Sequence, residues 1–192
     1  MALSLRGWIV FGVLAAAAAL ADLVSKAVLF GQLGMPGERP GIVILPGMLT
    51  LETNLNEGAL FGMGQGMGIF FAAVSVVAII GILAIVSRPA ARSDLGLLVA
   101  LGLITGGILG NLYDRLGLPG LTWHAPLERL GTPVLAVRDW IHFKLDGIID
   151  WPIFNLADSW LVIGAGLLLL VSLHAGPEEE PPAGTTARGA TE

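Results

Sequence analysis

The chain has 192 residues, of which 55% are hydrophobic and 13% are charged, about half the charged share of a typical soluble domain. This composition predicts an integral membrane protein and excludes a large soluble domain beside the membrane part. The absence of cysteine excludes disulfides, thiolate nucleophiles and thiolate metal sites, and a net charge of -5 gives no basic surface of the kind that binds nucleic acid.

Four apolar segments are near the length of about 20 residues that crosses a bilayer as a helix. The third segment contains several glycines, and small residues let helix backbones approach closely in lipid. We therefore predict a mainly α membrane protein, with one domain over 1–175 and a disordered polar tail over 176–192. The four transmembrane helices are expected over about 8–30, 67–86, 95–112 and 159–173.

The first apolar segment allows two interpretations. Arg6, an apolar core and the small residues around Ala19 fit a cleavable secretory signal. However, apolar residues resume after Lys26, and Asp22, Ser25 and Lys26 share one helical face at spacings of three and four residues. We favour a retained membrane helix that carries a polar stripe near its end.

Two stretches between the helices predict a small β-sheet. Residues 42–56 contain two extended runs around a Pro-Gly turn. Residues 134–144 and 147–153 form a second pair of extended runs, joined by the hairpin signal Asp146-Gly147. These strands are expected to form a cradle beside the membrane helices.

Helices that alternate in direction gather the polar residues on one membrane face. That face receives the end of the first helix, the start of the second, the end of the third and the start of the fourth, with both β regions. Polar groups concentrated at one depth indicate a functional site, whereas the Lys and Arg distribution leaves open which face is outside. The residues concerned are Asp22, Ser25, Lys26, Asn54, Asn56, Glu57, Asn111, Asp114, Arg115, Asn155, Asp158 and Ser159.

Five short motifs follow one another along these polar ends. They are Asp22-x-x-x-Lys26, Asn56-x-Gly58-Ala59-x-Phe61, Gly106-Gly107-x-x-Gly110-Asn111-x-x-Asp114-Arg115, Val137-x-Asp139-Trp140-Ile141 and Trp151-Pro152-x-Phe154-Asn155-x-Ala157-Asp158-Ser159. Their order and their placement at helix ends make the set specific, where a single motif would be weak. The set resembles that of the bacterial lipoprotein signal peptidases, also called signal peptidase II.

The resemblance implies a membrane-embedded aspartyl endopeptidase whose catalytic pair is Asp139 and Asp158. Two close carboxylates that share one proton provide both a base that activates water and an acid that polarises the carbonyl. No cofactor or metal is implied, and the three histidines lack a metal-binding spacing. The residues implied to bind substrate or support the site are Asp22, Lys26, Asn56, Gly58, Asn111, Asp114, Arg115, Asn155 and Ala157.

The implied substrates are prolipoproteins that carry a diacylglyceryl-modified Cys, with cleavage just before that Cys. Membrane lipids are the other expected partners, globomycin is the inhibitor associated with the family, and no nucleic acid is involved. The implied location is the bacterial cytoplasmic (inner) membrane, with several passes, both termini in the cytoplasm and the active site toward the extracytoplasmic face. A lipid anchor would hold the scissile bond at the bilayer surface and reduce the entropic cost of orienting it.

Two features depart from the family pattern. Residues 116–136 separate the third and fourth motifs, where the family has only a short link, and they are expected to contain a short amphipathic helix around Leu127. Arg138 precedes Asp139 and is expected either to lower the pKa of that carboxyl or to point to solvent.

The residues taken without the family leave alternatives open. Asp158 fits an N-cap of the fourth helix, although Asn155 or Ser159 also fits that role. Asp139 fits an exposed strand residue paired with a neighbouring cation, and Asp22 with Lys26 fits a buried ion pair as well as a substrate contact. A small transporter or a membrane scaffold remains a non-enzymatic alternative.

Overall fold

The computed structural model describes residues 2–58, 64, 66–145 and 147–174. The predicted tail over 176–192, residues 59–61 of the second motif and Asp146 of the hairpin signal lie outside the described residues. The helices of the described part are α1 (Ala2–Leu33), α2 (Gly68–Val86), α3 (Pro89–Ser93), α4 (Leu95–Arg115) and α5 (Leu156–His174), and the strands are β1 (Ile42–Leu45), β2 (Leu49–Asn56), β3 (Val137–Leu145) and β4 (Ile149–Asp150).

Four helices of the described part, α1, α2, α4 and α5, are long and apolar enough to cross a membrane. Together with the four strands they confirm the predicted fold class of a mainly helical membrane protein with a small sheet. The short helix α3 lies in the connection between α2 and α4. Helix α5 begins at Leu156, three residues earlier than expected, because Asn155 rather than a later residue caps it.

Helix α4 lies at the centre of the bundle, where it packs against α1, α2 and α5. Its glycines make the close contacts possible on two sides. A Cβ at Gly106 would lie 2.5 Å from Cβ of Ala18 in α1, and a Cβ at Gly107 would lie 2.5 Å from the carbonyl oxygen of Ala157 in α5. Bare backbone at these positions therefore brings three helices together.

The bundle core divides into an apolar half and a polar half. The apolar half is a cluster formed by Phe11, Ile82, Val86, Leu98 and Leu101, near the end of the bundle where α2 connects to α4. The opposite half holds the buried polar side chains of α1, α4 and the start of α5. The predicted gathering of polar helix ends is thus found inside the protein rather than on its surface.

The sheet has the strand order β1-β2-β3-β4, and all neighbouring strands are antiparallel. In the β2–β3 pairing, Asn54 lies opposite Asp139 and Asn56 lies opposite Val137. Just before α5, Phe154 forms a bridge with Ile141 of β3, through N–H···O bonds of 2.8 and 3.0 Å. This bridge attaches the beginning of α5 to the strand that carries Asp139.

The insert over 116–136 is a folded hairpin whose helical part is a single 3-10 turn at Leu127–Arg129, shorter than the expected helix. Thr122 and Pro133 bridge its two arms. Its end packs into a small apolar cluster built on Met35, Val134 and Ala136. Because the insert is a closed hairpin, its two ends lie close together, and β3 begins beside the end of α4, where Arg138 bonds to Asp114.

Replacing Gly106 by Ala tests the close packing of α1 on α4. The added Cβ has no room beside Ala18, so we expect the free energy of unfolding to fall by about 1–3 kcal/mol in detergent. Gly166→Ala is the matched control, because nothing lies within 4 Å of a Cβ at that position in α5. Equal thermal stability of the two variants would contradict the packing described for α4.

Candidate active site

Lys26 is the buried centre of the polar half of the bundle. Its side chain is 0% exposed, and its ammonium lies 2.7 Å from Oδ2 of Asp22 and 3.1 Å from Oδ2 of Asp114. It also donates a hydrogen bond of 3.0 Å to Oδ1 of Asn111. The ammonium thus has two carboxylates as charge partners and an amide oxygen as its hydrogen-bond acceptor.

The two carboxylates beside Lys26 each extend the network to another element. Oδ1 of Asp22 accepts the backbone N–H of Ala157 at 2.9 Å, which joins α1 to the first turn of α5. Asp114 accepts the backbone N–H of Arg138 at 3.0 Å and also its guanidinium, at 2.9 Å from Nε and 2.8 Å from Nη2. The end of α4 is thereby fixed to β3, one residue before Asp139.

Arg138 does not have either of the positions expected from the sequence. It is buried rather than exposed to solvent, and its guanidinium pairs with Asp114 instead of Asp139. Adjacent residues of a strand point to opposite faces, so Arg138 and Asp139 face different surroundings. The interpretation of Asp139 as an exposed residue paired with a cation is also wrong, because Asp139 is fully buried.

Asn155 links the two aspartates of the predicted pair. Its Nδ2 donates to Oδ1 of Asp139 at 2.6 Å and to Oδ1 of Asn111 at 3.1 Å. Its Oδ1 accepts the backbone N–H of Asp158 at 2.9 Å, while Oδ2 of Asp158 accepts the backbone N–H of Asn155 at 3.3 Å. This reciprocal pair is a capping box, so Asn155 caps α5 and Asp158 occupies its third position.

Asp158 receives a further hydrogen bond from α4. Nδ2 of Asn111 donates to Oδ1 of Asp158 at 2.8 Å, so both oxygens of this carboxyl have donors. Ser159 caps nothing, because its hydroxyl donates to the backbone oxygen of Asn155 within the first turn. The orientation of Asp158 is therefore set by amide groups and by the geometry of the helix start.

The environment of Asp139 favours its protonated form. Burial, followed by the negative charge of Asp158, raises the pKa of Asp139 to about 8, although the hydrogen bond from Asn155 acts in the opposite direction. Its second oxygen, Oδ2, is buried and has no hydrogen-bond partner within the described part of the chain. Asp139 is thus a carboxyl that favours its protonated form, and it lies near Asp158, which accepts two hydrogen bonds.

A cavity of about 410 Å³ opens beside Asp158. Asp139 does not line it and lies buried next to it. Polar residues from β2, α4 and the start of α5 line it, together with apolar residues from β3, from the segment before α5 and from α5. The lining residues are Asn56, Asn111, Arg115, Asp158 and Ser159, with the apolar side chains of Val137, Trp151, Pro152, Ile153, Phe154, Val162 and Ile163.

The end of β2 is fixed to the end of α4 beside this cavity. Nη2 of Arg115 donates to the carbonyl oxygen of Gly58 at 3.1 Å, and the guanidinium lies 5.4 Å from the centre of the Phe71 ring. The backbone N–H of Gly58 in turn donates to Oδ1 of Asn56 at 3.0 Å. Asn56 and Arg115 therefore form one polar wall of the cavity.

The predicted site residues lie close together in the structure. Asn155 bonds to Asp139, Gly58 bonds to Asn56 and Arg115, and the other eight form two groups. Asn56, Asn111, Arg115 and Asp158 line the cavity. Asp22, Lys26, Asp114 and Ala157 do not line it and instead hold the helices and β3 together beneath it. The sequence analysis did not predict Arg138 as the partner of Asp114, because the two residues are far apart in the chain. Strand alternation indicated only that Arg138 and Asp139 face opposite sides.

No metal-binding cluster is present in the part of the chain that the structure describes. No group of three or more His, Cys, Asp or Glu side chains there lies close enough together to hold an ion. The chemistry that the site offers from its own residues is that of two carboxyl groups, surrounded by amide donors.

The comparisons with known proteins point to one family. Residues 14–174 match the family model described as signal peptidase (SPase) II. A lipoprotein signal peptidase of Rhodopirellula baltica is 44% identical over 167 residues, which cover 84% of this chain and 70% of that protein. One from Symbiobacterium thermophilum is 35% identical over 160 residues, which cover 82% of this chain and 90% of that protein.

Solved structures give the same picture. The chain is similar to a structure described as a bacterial membrane enzyme determined by the in meso method at 2.3 Å resolution, with a TM-score of 0.69 and 26% identity. That similarity covers 88% of this chain and 92% of the other.

Replacing Lys26 by Met tests the buried centre of the network. The change leaves Asp22 and Asp114 buried without their shared cation, so we expect the free energy of unfolding to fall by about 3–5 kcal/mol. Lys144→Met, which removes the same charge from a side chain that is 47% exposed, is the control. Thermal unfolding in detergent measures both variants, and a Lys26→Met protein as stable as the control would contradict the assigned role.

Proposed function

The chain belongs to the signal peptidase II family, and we propose that Asp139 and Asp158 are the carboxyl groups that perform its peptide hydrolysis. The protein is accordingly a membrane-embedded aspartyl endopeptidase that removes signal peptides from prolipoproteins. The observation that carries the assignment of the pair is the Asn155 side chain, which contacts both aspartates from the cap of α5.

The proposed reaction uses the two carboxyls in complementary states. The ionised Asp158 removes a proton from a water molecule, whose oxygen then attacks the scissile carbonyl carbon. Asp139 donates its proton to the carbonyl oxygen, so that a neutral tetrahedral diol forms. Its collapse breaks the C–N bond, returns a proton to Asp139 and delivers the proton held by Asp158 to the leaving amine. The products are a free carboxylic acid and a free amine.

Two features support giving the acid role to Asp139. Burial and the neighbouring charge raise its pKa to about 8, so that it holds a proton near neutral pH. Asp158 faces the cavity and accepts hydrogen bonds on both oxygens, as suits the ionised base.

We further propose that the cavity takes the residues around the scissile bond of a precursor whose Cys carries diacylglycerol. Its apolar wall, which includes Val162 and Ile163 of the membrane helix α5, suits an acyl chain entering from the bilayer. Asn56 and Gly58 would contact the peptide backbone at the polar wall. Globomycin is proposed to inhibit by occupying this cavity.

The proposed location is the bacterial cytoplasmic membrane, with both termini in the cytoplasm. If the four candidate spans alternate in direction, the start of α1 and the end of α5 lie on one side, and the carboxyl pair lies with the sheet on the other. Arg88 and Arg92 lie in the short connection on the side of the termini, which agrees with the excess of positive charge in cytoplasmic loops. The catalytic face is then extracytoplasmic.

Substituting either proposed catalytic aspartate by Asn tests the assignment. We expect Asp139→Asn and Asp158→Asn each to lower the rate of cleavage of a diacylglyceryl-modified precursor by about 100- to 10,000-fold, the range of general acid and base contributions. Asp150→Asn, which makes the same change on an exposed residue of the sheet, is the matched control. Near-normal cleavage by either catalytic variant would show that the pair is wrongly assigned.

The pKa of Asp139 leads to a pH prediction. The acid role requires a proton that this group keeps below its pKa of about 8 and loses above it. The value of kcat/KM, which reports the pKa of the free enzyme, is therefore expected to be steady near pH 7 and to fall as the pH rises through about 8. A value of kcat/KM that keeps rising beyond pH 9 would contradict this role. Circular dichroism that shows the protein still folded over the same pH range is the control against unfolding.

A further inference from the structure

We infer that the insert over 116–136 is a positioning device for the substrate-binding end of β2, and that Arg129 acts through its ion pair with Glu57. The inference rests on the proposed function, because it takes the segment Asn56–Gly58 as the polar wall that meets the substrate. It gives a role to the insert, which the catalytic chemistry leaves unexplained.

The insert holds Arg129 in a well-defined place. The backbone N–H groups of Trp123 and Gly131 bond to the carbonyl oxygens of Thr132 and Trp123, both at 2.9 Å, and close the hairpin. The hydroxyl of Thr132 donates to the carbonyl oxygen of Arg129 at 2.6 Å. The 3-10 turn that carries Arg129 is therefore fixed to both arms of the hairpin.

The guanidinium of Arg129 is held between an aromatic ring and a carboxylate. It lies 3.9 Å from the centre of the Trp123 ring, in the same hairpin. Its Nη1 and Nη2 donate to the two oxygens of Glu57 at 2.9 and 2.6 Å. A stacked, two-pronged pair of this kind is directional, whereas a surface lysine would give only a point charge.

This ion pair reaches the cavity wall through the neighbours of Glu57. Asn56 lines the cavity on one side of Glu57, and the carbonyl oxygen of Gly58 on the other side is held by Arg115. The segment is thus held from the bundle by Arg115 and from the insert by Arg129. Leu55, one residue earlier, packs against the apolar cluster at the end of the insert.

A second connection of the insert provides an internal comparison. His124 lies 2.5 Å from Glu38 in the chain that follows α1, and both side chains are largely exposed. This connection fixes the other side of the hairpin and touches no residue of the cavity. A substitution at His124 therefore weakens the attachment of the hairpin without removing the ion pair between Arg129 and Glu57, and the two effects on KM can be compared.

The experiment uses the full-length protein in detergent–lipid micelles with a diacylglyceryl-modified precursor peptide. Arg129→Gln and Glu57→Gln are each expected to raise KM about fivefold with kcat nearly unchanged, because a half-exposed ion pair contributes on the order of 1 kcal/mol. The double variant is expected to match either single variant, since both remove the same interaction. Raising the salt concentration is expected to increase KM of the unchanged protein but not of Arg129→Gln.

Glu128→Gln and His124→Gln are the controls. Glu128 is exposed next to Arg129 and carries the same charge as Glu57, so it cannot form an ion pair with it. Its variant is expected to keep the KM of the unchanged protein. The inference is overturned if Arg129→Gln keeps that KM, if His124→Gln raises KM equally, or if the double variant shows the sum of the two single effects. If the unchanged protein itself fails to cleave the precursor, the proposed function fails instead, and the two failures are distinguishable.

Discussion

The arrangement of the bundle depends on the burial of Lys26 among Asp22, Asp114 and Asn111. A lone charge placed in the apolar interior costs several kcal/mol, so each ion of this group requires the others. With Arg138, the group contains two cations and two carboxylates, and its charges balance. Its partners come from α1, α4, the start of α5 and β3, so the group around one buried ammonium fixes four elements relative to one another.

The same network lies beside Asp139 and Asp158, but its two cations do not form ion pairs with them. Lys26 and Arg138 are bonded to Asp22 and Asp114, so the donors that reach Asp139 and Asp158 directly are the amides of Asn111 and Asn155. The charge of Lys26 does lower the pKa of Asp139, but burial and the charge of Asp158 outweigh it. Because Lys26 and Arg138 pair with other carboxylates, Asp139 can keep its proton. The same ion pairs hold the surrounding helices and β3 in place.

The sequence predicted the elements and the site residues better than it predicted their contacts. Apolar length indicated the four spans, and the polar ends of α1, α4 and α5 indicated one site, because both signals are local. The cap at Asn155 was among the alternatives, but the reciprocal bond to Asp158 needed the start of α5 in three dimensions. The burial of Arg138 and the compact hairpin around Arg129 depend on pairings between residues far apart in the chain, which no local pattern contains.

Infrared difference spectroscopy tests most directly whether Asp139 holds the proton of the pair. Spectra of the unchanged protein and of Asp139→Asn are compared as the pH is raised from 6 to about 9, across the pKa of about 8 that burial and Asp158 give this carboxyl. The expected result is a carbonyl band of a protonated carboxyl group that is present at neutral pH, lost above about pH 8, and missing from the variant. A band that persists in Asp139→Asn but disappears in Asp158→Asn would contradict the assignment of the proton.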